Sequence, residues 1–191
     1  MNLPNKLTML RVLLIPVYIL VLYLPEWFGV PMGIAAWIAA LVFVAAGLTD
    51  LFDGRIARSR NLVTDFGKFM DPIADKLLTA SAMIMLTHLG KLHPVATIIF
   101  IAREFVISGF RLIAAGKGVV IAADKLGKIK TLLQIVFIVA LLLGLAKPFS
   151  LLQPYYDYVW QAVVLAALVM SVVSCVNYIT KNKGVIDFHD C

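Results

Sequence analysis

Charge is scarce in this sequence. Only 15% of its 191 residues are Asp, Glu, Lys or Arg, while 62% are hydrophobic. An average soluble domain has about 25% charged and 45–50% apolar residues. The imbalance excludes an ordinary soluble fold and a nucleic-acid-binding surface, and it marks an integral membrane protein. Cysteine is nearly absent. Cys175 lies in an apolar run and Cys191 is the last residue, a spacing that gives neither a disulfide framework nor a zinc site. Histidine is rare too. His88 and His93 flank a short link and His189 sits in the tail, so no role falls to them. There is no tandem repeat, low-complexity tract or separate soluble stretch, and residues 1–191 read as one domain. Nor does a small-x-small cleavage site follow the first apolar run, which continues to Leu24-Pro25. Lys6, Arg11 and that run therefore read as a retained membrane helix rather than a leader.

What is present is a series of long apolar runs. Six segments each approach the roughly 20 residues that a helix needs to cross a bilayer. They are Thr8–Leu24, Gly33–Leu51, Ile73–Leu89, Pro94–Ala114, Ile129–Ala146 and Tyr156–Ile179. No spacing indicates strands, and an open sheet cannot span a bilayer. The expected fold is all-α, a bundle of six transmembrane helices. A short surface segment, Asn2 to Thr8, is expected before the first span, with Asn5 or Thr8 as its helix cap. The short link Gly90–His93 makes the third and fourth helices an antiparallel pair.

Lys and Arg alternate between poor and rich links. The first, third and fifth links carry Glu26, Lys91 and Lys147 as their charges. The second holds Arg55, Arg58, Arg60, Lys68 and Lys76. The fourth holds Lys117, Lys125 and Lys128, with Arg111 and Lys130 at the flanking helix ends. Lys6, Lys181 and Lys183 mark the termini. By the positive-inside rule the rich links and both termini are cytoplasmic. Trp27, Trp37, Tyr155, Tyr156 and Trp160 fall near the outer ends, where interfacial aromatics belong. The expected location is a cytoplasmic membrane, in contact with its lipids, with the link between the second and third segments on the cytoplasmic side.

Acidic residues are fewer still, and they are clustered. Five of the eleven lie between Asp50 and Asp75. Carboxylates near a bilayer are expensive and need a partner. Asp50 and Asp53 are three apart and Asp71 and Asp75 four apart, so each pair shares a helix face. Two helix ends with paired carboxylates can converge on divalent cations. An all-oxygen set without His or Cys suits hard ions, Mg²⁺ or Mn²⁺. Two such ions can bridge a diphosphate and stabilise the attacking and leaving oxygens. Gly54 and Gly67 remove side chains where a phosphate or nucleotide passes close to the backbone. Ala57 is small, and Arg58 is placed to pair with a phosphate or with an Asp. The competing picture is a solvated loop whose Asp residues pair with Arg55, Arg58 and Arg60; it suits Asp65 best and the four spaced Asp least.

The spacing Asp50-x-x-Asp53-Gly54-x-x-Ala57-Arg58, then eight residues, then Gly67-x-x-x-Asp71-x-x-x-Asp75, resembles the signature of the CDP-alcohol phosphatidyltransferases, with every position filled. The resemblance implies six spans and a homodimer. It also implies a reaction in which an alcohol attacks the β-phosphorus of a CDP-linked lipid and CMP leaves. By position, Asp50, Asp53 and Asp71 resemble metal ligands, and Asp75 a ligand that is also the general base. Gly54, Ala57 and Arg58 resemble the wall for the cytidine nucleotide, so that CDP-diacylglycerol is the implied donor.

A second cluster bears on the acceptor. Arg111, Lys128 and Lys130 could form a pocket for an acceptor that carries its own phosphate; topogenic bias would also place charges there. Lys117 reads as a surface charge facing anionic headgroups. Arg103 lies inside an apolar run, paired with Glu104 or with an Asp of another helix, or else belongs to the site. Leu3-Pro4-Asn5-x-Leu7-Thr8-x-x-Arg11 and the run from Arg103-Glu104 through Gly127-Lys128-x-Lys130-Thr131 resemble family members that use glycerol 3-phosphate and form phosphatidylglycerol phosphate. Asn5, Thr8 and Arg11 either touch the donor or product phosphates, or supply helix capping and one topogenic charge. Inositol phosphate, serine or phosphatidylglycerol are alternative acceptors. A membrane prenyltransferase would share the metal chemistry, but places two Asp motifs far apart. A transporter would carry its charges at mid-membrane.

Overall fold

A computed structural model describes residues 3–59, 65–119, 121, 125–147 and 152–185. At 3, 4, 50–59, 65, 66, 68, 125 and 185 it describes the backbone course alone. The described residues form six α-helices: α1 (Leu3–Phe28), α2 (Met32–Ser59), α3 (Asp65–His88), α4 (Pro94–Gly116), α5 (Lys125–Leu145) and α6 (Gln153–Lys181). One 3-10 turn, Lys183–Val185, follows. Among the described residues there is no strand.

Four of the helices contain stretches long and apolar enough to cross a membrane: Asn5–Phe28, Met32–Thr49, Leu126–Leu145 and Gln153–Lys181. The other two helices carry charge within their length. Asp71, Asp75 and Lys76 lie in α3 and Arg103, Glu104 and Arg111 in α4.

The helices pack as neighbours in sequence and across the bundle. α1 lies along α2 and touches α3; α5 packs on α6 and α2; α4 packs on α6 and α3. Small residues allow the close approach. Ala35, Ala36, Ala39, Ala40 and Ala46 form the buried stripe of α2, broken by Phe43. Ala39, Ala40, Phe43 and Ala46 meet Ile15, Tyr18 and Leu22 of α1 in one core. Such stripes let helix backbones pack closely where the surrounding solvent is lipid. Many large apolar side chains point outward. Leu13, Leu41, Phe105, Leu112 and Leu165 are all more than half exposed, the reverse of a soluble protein's distribution.

The turns hold the helices in an antiparallel course. α3 ends in a Schellman motif. Gly90 takes φ +69°, its N–H bonds Thr87 O at 3.0 Å and the Lys91 N–H bonds Leu86 O at 2.8 Å. That left-handed position favours glycine. Three residues later His93 caps α4, its Nδ1 accepting from the Val95 N–H at 3.3 Å, with Pro94 in the first turn. At the same end Gly144 lies against Tyr156. A Cβ there would come within 2.9 Å of the ring, and the Tyr156 hydroxyl donates to Ala140 O at 2.7 Å.

One expectation is corrected. The amino-terminal residues do not form a separate surface segment. They are the first turns of α1, continuous from Leu3. Asn5 and Thr8 are interior helix residues, 8% and 1% exposed, rather than caps on a surface. Pro4 is compatible with this, because the first turn leaves its N–H groups unbonded in any case.

Candidate functional site

The polar side chains gather at one end of the bundle, where α1 begins, α2 ends, α3 begins, α4 ends, α5 begins and α6 ends. The acidic residues stand on α2 and α3. Asp50 and Asp53 fall in the last three turns of α2, and Gly54, Ala57 and Arg58 complete that stretch. Their side chains lie outside the described set, as do Asp65 and the link at 60–64. Asp71 and Asp75 lie four apart in continuous helix, on one side of α3. Asp71 is half-buried and Asp75 exposed, while Gly67, one turn earlier, is buried. Pro72 sits between them in the helix interior.

α1 crosses beneath both acidic stretches. The Thr8 hydroxyl donates to Asp71 Oδ1 at 2.6 Å. One turn further on, Arg11 Nε donates to Thr49 Oγ1 at 3.4 Å, and Thr49 immediately precedes Asp50. Thr49 in turn donates to Ala46 O at 2.6 Å. Arg11 is fully buried. Thus Asn5, Thr8 and Arg11 are packed inside the bundle, and two of the three bond to the acidic helices.

The donor set fits a hard divalent cation. Four carboxylates supply oxygen alone, and Asp71 is already oriented by a neutral hydroxyl that leaves its charge intact. Among the described residues no three His, Cys, Asp or Glu side chains come together; two of the four Asp side chains lie outside that set.

Besides Arg11 on α1 and Lys76 on α3, further cations stand on α4 and α5. A groove of about 630 Å³ opens between α3 and α4. It is lined mostly by apolar residues such as Phe69, Leu77, Phe105 and Leu112, with Lys76, Glu104, Ser108 and Arg111 among them. Arg111 is held from α6: its Nε donates to the Tyr178 hydroxyl at 3.0 Å, and its guanidinium carbon lies 5.3 Å from the ring centroid. Lys130 is wholly buried. Its ammonium donates to Glu104 Oε1 and lies 5.8 Å from the Phe100 ring centroid. Arg103 also donates to Glu104, at 3.3 Å, and to Ser174 Oγ at 2.8 Å. Lys128 is exposed on α5. The structure therefore does not gather Arg111, Lys128 and Lys130 on one wall. Arg111 faces the groove, Lys130 lies beneath it against Glu104, and Lys128 stands apart.

Sequence reasoning missed Thr49, Ser174 and Tyr178. The last two had a signal. Ser171, Ser174 and Tyr178 recur at i, i+3 and i+7 in an otherwise apolar helix, and all three are buried. A polar stripe on one face of a membrane helix faces protein, not lipid.

The sequence profile of the CDP-alcohol phosphatidyltransferase family matches residues 1–180. A protein of Bacillus subtilis, named CDP-diacylglycerol–glycerol-3-phosphate 3-phosphatidyltransferase, is 43% identical over 189 residues, covering 95% of both chains. Relatives with the same name occur in Rickettsia felis, at 39% identity over 93% of each chain, and in Salmonella paratyphi A, at 38% over 96% of each.

Proposed function

The chain belongs to the CDP-alcohol phosphatidyltransferase family, and we propose that it transfers the phosphatidyl group of CDP-diacylglycerol to glycerol 3-phosphate, giving phosphatidylglycerol phosphate and CMP. The observation that carries this reading is identity along nearly the whole chain with relatives named for that reaction. The enzyme is read as an integral membrane protein whose six helices all span, with both termini and the polar end of the bundle cytoplasmic. α3 and α4 cross although they carry charge within their length, because Asp71, Arg103 and Glu104 have protein partners inside the bundle. A homodimer is part of the same reading.

In this mechanism Asp50, Asp53, Asp71 and Asp75 would hold two divalent cations, Mg²⁺ or Mn²⁺. When bound, the metal would neutralise the diphosphate and stabilise charge on the departing CMP oxygen. Gly54, Ala57, Arg58 and Gly67 flank the nucleotide. Arg111 takes the acceptor's phosphate through its guanidinium fork, which suits phosphate oxygens, and Lys128 adds long-range attraction. Lys130 contributes from beneath, by fixing Glu104 on the groove wall. Asp75 accepts the proton of the glycerol 3-phosphate hydroxyl as its oxygen attacks the phosphorus that carries diacylglycerol. The bond from that phosphorus to CMP breaks, and CMP leaves with the electron pair. The lipid's acyl chains remain among apolar side chains outside the polar end.

The test is CMP release by purified protein from CDP-diacylglycerol with Mg²⁺, with and without glycerol 3-phosphate. Serine, inositol phosphate and phosphatidylglycerol run in parallel. Stimulation by glycerol 3-phosphate alone, abolished by a chelator and restored by Mg²⁺, is the expected result. Release with a different acceptor would overturn the acceptor assignment, and release with none would overturn the reaction.

A further inference from the structure

We propose that Thr8 is a positioning residue for Asp71, and that the first turns of α1 thereby hold the α3 carboxylates in register with those of α2. The inference rests on the reading of Asp71 as a metal ligand and goes beyond it, to the residue that aims the ligand.

The geometry is direct. Thr8 and Asp71 are 63 residues apart, yet their side chains bond at 2.6 Å. A hydroxyl donating to an ionised carboxylate makes a short, strong bond, within the 2.5–2.7 Å range typical of that pair. Thr8 is 1% exposed, so water does not readily replace it. Threonine has only two χ1 rotamers readily open to it in a helix, and the one observed aims its hydroxyl at Asp71. The bond engages Oδ1. A carboxylate has two oxygens and about four lone-pair directions, so fixing one oxygen sets the plane in which the group meets a cation. Because threonine is neutral, the negative charge of Asp71 is kept.

The same helix reaches the other acidic stretch. Arg11 lies three residues on and bonds Thr49, the neighbour of Asp50. One rigid turn of α1 therefore contacts both acidic helices beside their carboxylates. Outer-shell partners of metal ligands are commonly worth 10–100-fold in affinity, and that is the scale expected here.

The experiment measures Mn²⁺ binding by the loss of the free-ion electron paramagnetic resonance signal, without substrate. The full-length protein is used in detergent micelles as wild type, Thr8→Val, Thr8→Ser and Asp71→Asn. Thr8→Val keeps shape and removes the donor; it should weaken Mn²⁺ binding by roughly 10–100-fold. Thr8→Ser keeps the donor and should stay close to wild type. The Mn²⁺ concentration for half-maximal CMP release should rise in parallel, with kcat at saturating Mn²⁺ largely recovered. Adding Thr8→Val to Asp71→Asn should cost little more than Asp71→Asn alone, since the bond is already changed. If Thr8→Val fails to fold, Thr8→Ala carries the same test. Wild-type Mn²⁺ affinity in Thr8→Val, beside weakened binding in Asp71→Asn, overturns the proposal and leaves the ligand reading intact. Wild-type affinity in Asp71→Asn overturns the ligand reading, and the proposal with it.

Discussion

Asp71, near the start of α3, and Glu104, at the middle of α4, are both carboxylates inside one bundle, and their surroundings differ in kind. Glu104 receives Lys130 and Arg103, two protein cations on one acid. Asp71 receives the hydroxyl of Thr8, which orients it without neutralising it. The charge of Glu104 is consumed inside the protein, where it compensates a wholly buried ammonium. Among the described residues no cation pairs with Asp71, and in the proposed mechanism its charge is met by the metal. The comparison separates two uses of an acidic residue near a membrane: counter-charge on the α4–α6 side and, in that proposal, metal ligand on the α2–α3 side. A sequence shows both only as Asp or Glu in an apolar context.

Substitutions can break that distinction, and the largest effect belongs to the ligand side. Asp75→Asn keeps size and removes the basic oxygen. It should lower kcat by roughly 10²–10⁴-fold, the usual contribution of a general base. Binding of CDP-diacylglycerol, followed by equilibrium titration, should persist. Loss of donor binding to the same degree would place Asp75 chiefly in the metal set. Next comes the counter-charge side, where the effect falls on stability. Glu104→Gln leaves Lys130 buried without its carboxylate. Breaking one partner of a buried pair typically costs about 3–5 kcal/mol, so the melting temperature of the detergent-solubilised protein should drop clearly. Lys130→Met in the Glu104→Gln background should recover much of the loss, because the stranded charge is gone. A Glu104→Gln protein that melts like wild type but has lost turnover would move Glu104 to the ligand side of the comparison.

The polar partner of Arg111 gives a smaller and more specific effect. Tyr178 holds it by a hydrogen bond and by its ring face. Tyr178→Phe removes the first and keeps the second. One hydrogen bond to a charged group is worth about 1.5 kcal/mol or somewhat more, and about 1.4 kcal/mol is tenfold in affinity. The KM for glycerol 3-phosphate should rise roughly tenfold with kcat nearly unchanged. An equal fall in kcat would place Tyr178 at the reacting atoms, and an unchanged KM would remove Arg111 from acceptor binding.

The sequence told much about the helices and less about their partners. Apolar runs located all six, because a long apolar stretch in lipid has few alternatives to helix. The helices run past the apolar segments, as the helical pairing of the Asp residues requires. α2 continues to Ser59 and α3 starts at Asp65, beyond the apolar runs, since a helix is ended by backbone geometry rather than by the arrival of charge. The Asn2–Thr8 stretch looked like a surface segment because it mixes polar and apolar residues. Asn5 and Thr8 are buried against protein, and only a tertiary contact reveals that. The register of the Asp residues was legible from spacing alone. The bond from Thr8 to Asp71 was not, and neither was the Lys130–Glu104 pair, because each joins different helices. Lys130 illustrates the limit: a cation near a helix end reads as surface charge until its burial is known.

The smallest expected effect lies at the far end of the bundle and serves as the boundary of the comparison. Lys91 donates to Asp157 Oδ2 at 3.4 Å, with the two side chains 27% and 40% exposed. The Lys91 carbonyl also accepts from Gln161 at 3.0 Å, a bond that survives any change of the side chain. A partly solvated ion pair of this length is worth at most about 1 kcal/mol. Lys91→Ala should therefore shift the melting temperature by a few degrees at most. It should leave kcat, the KM for glycerol 3-phosphate and the Mn²⁺ affinity as they are. Unlike Glu104, neither partner is stranded in the interior when the other is removed. If Lys91→Ala altered the KM or the metal affinity, the two ends of the bundle would be coupled through α3 and α4, and holding the carboxylates in place would be a property of the whole helix pair rather than of the first turns of α1.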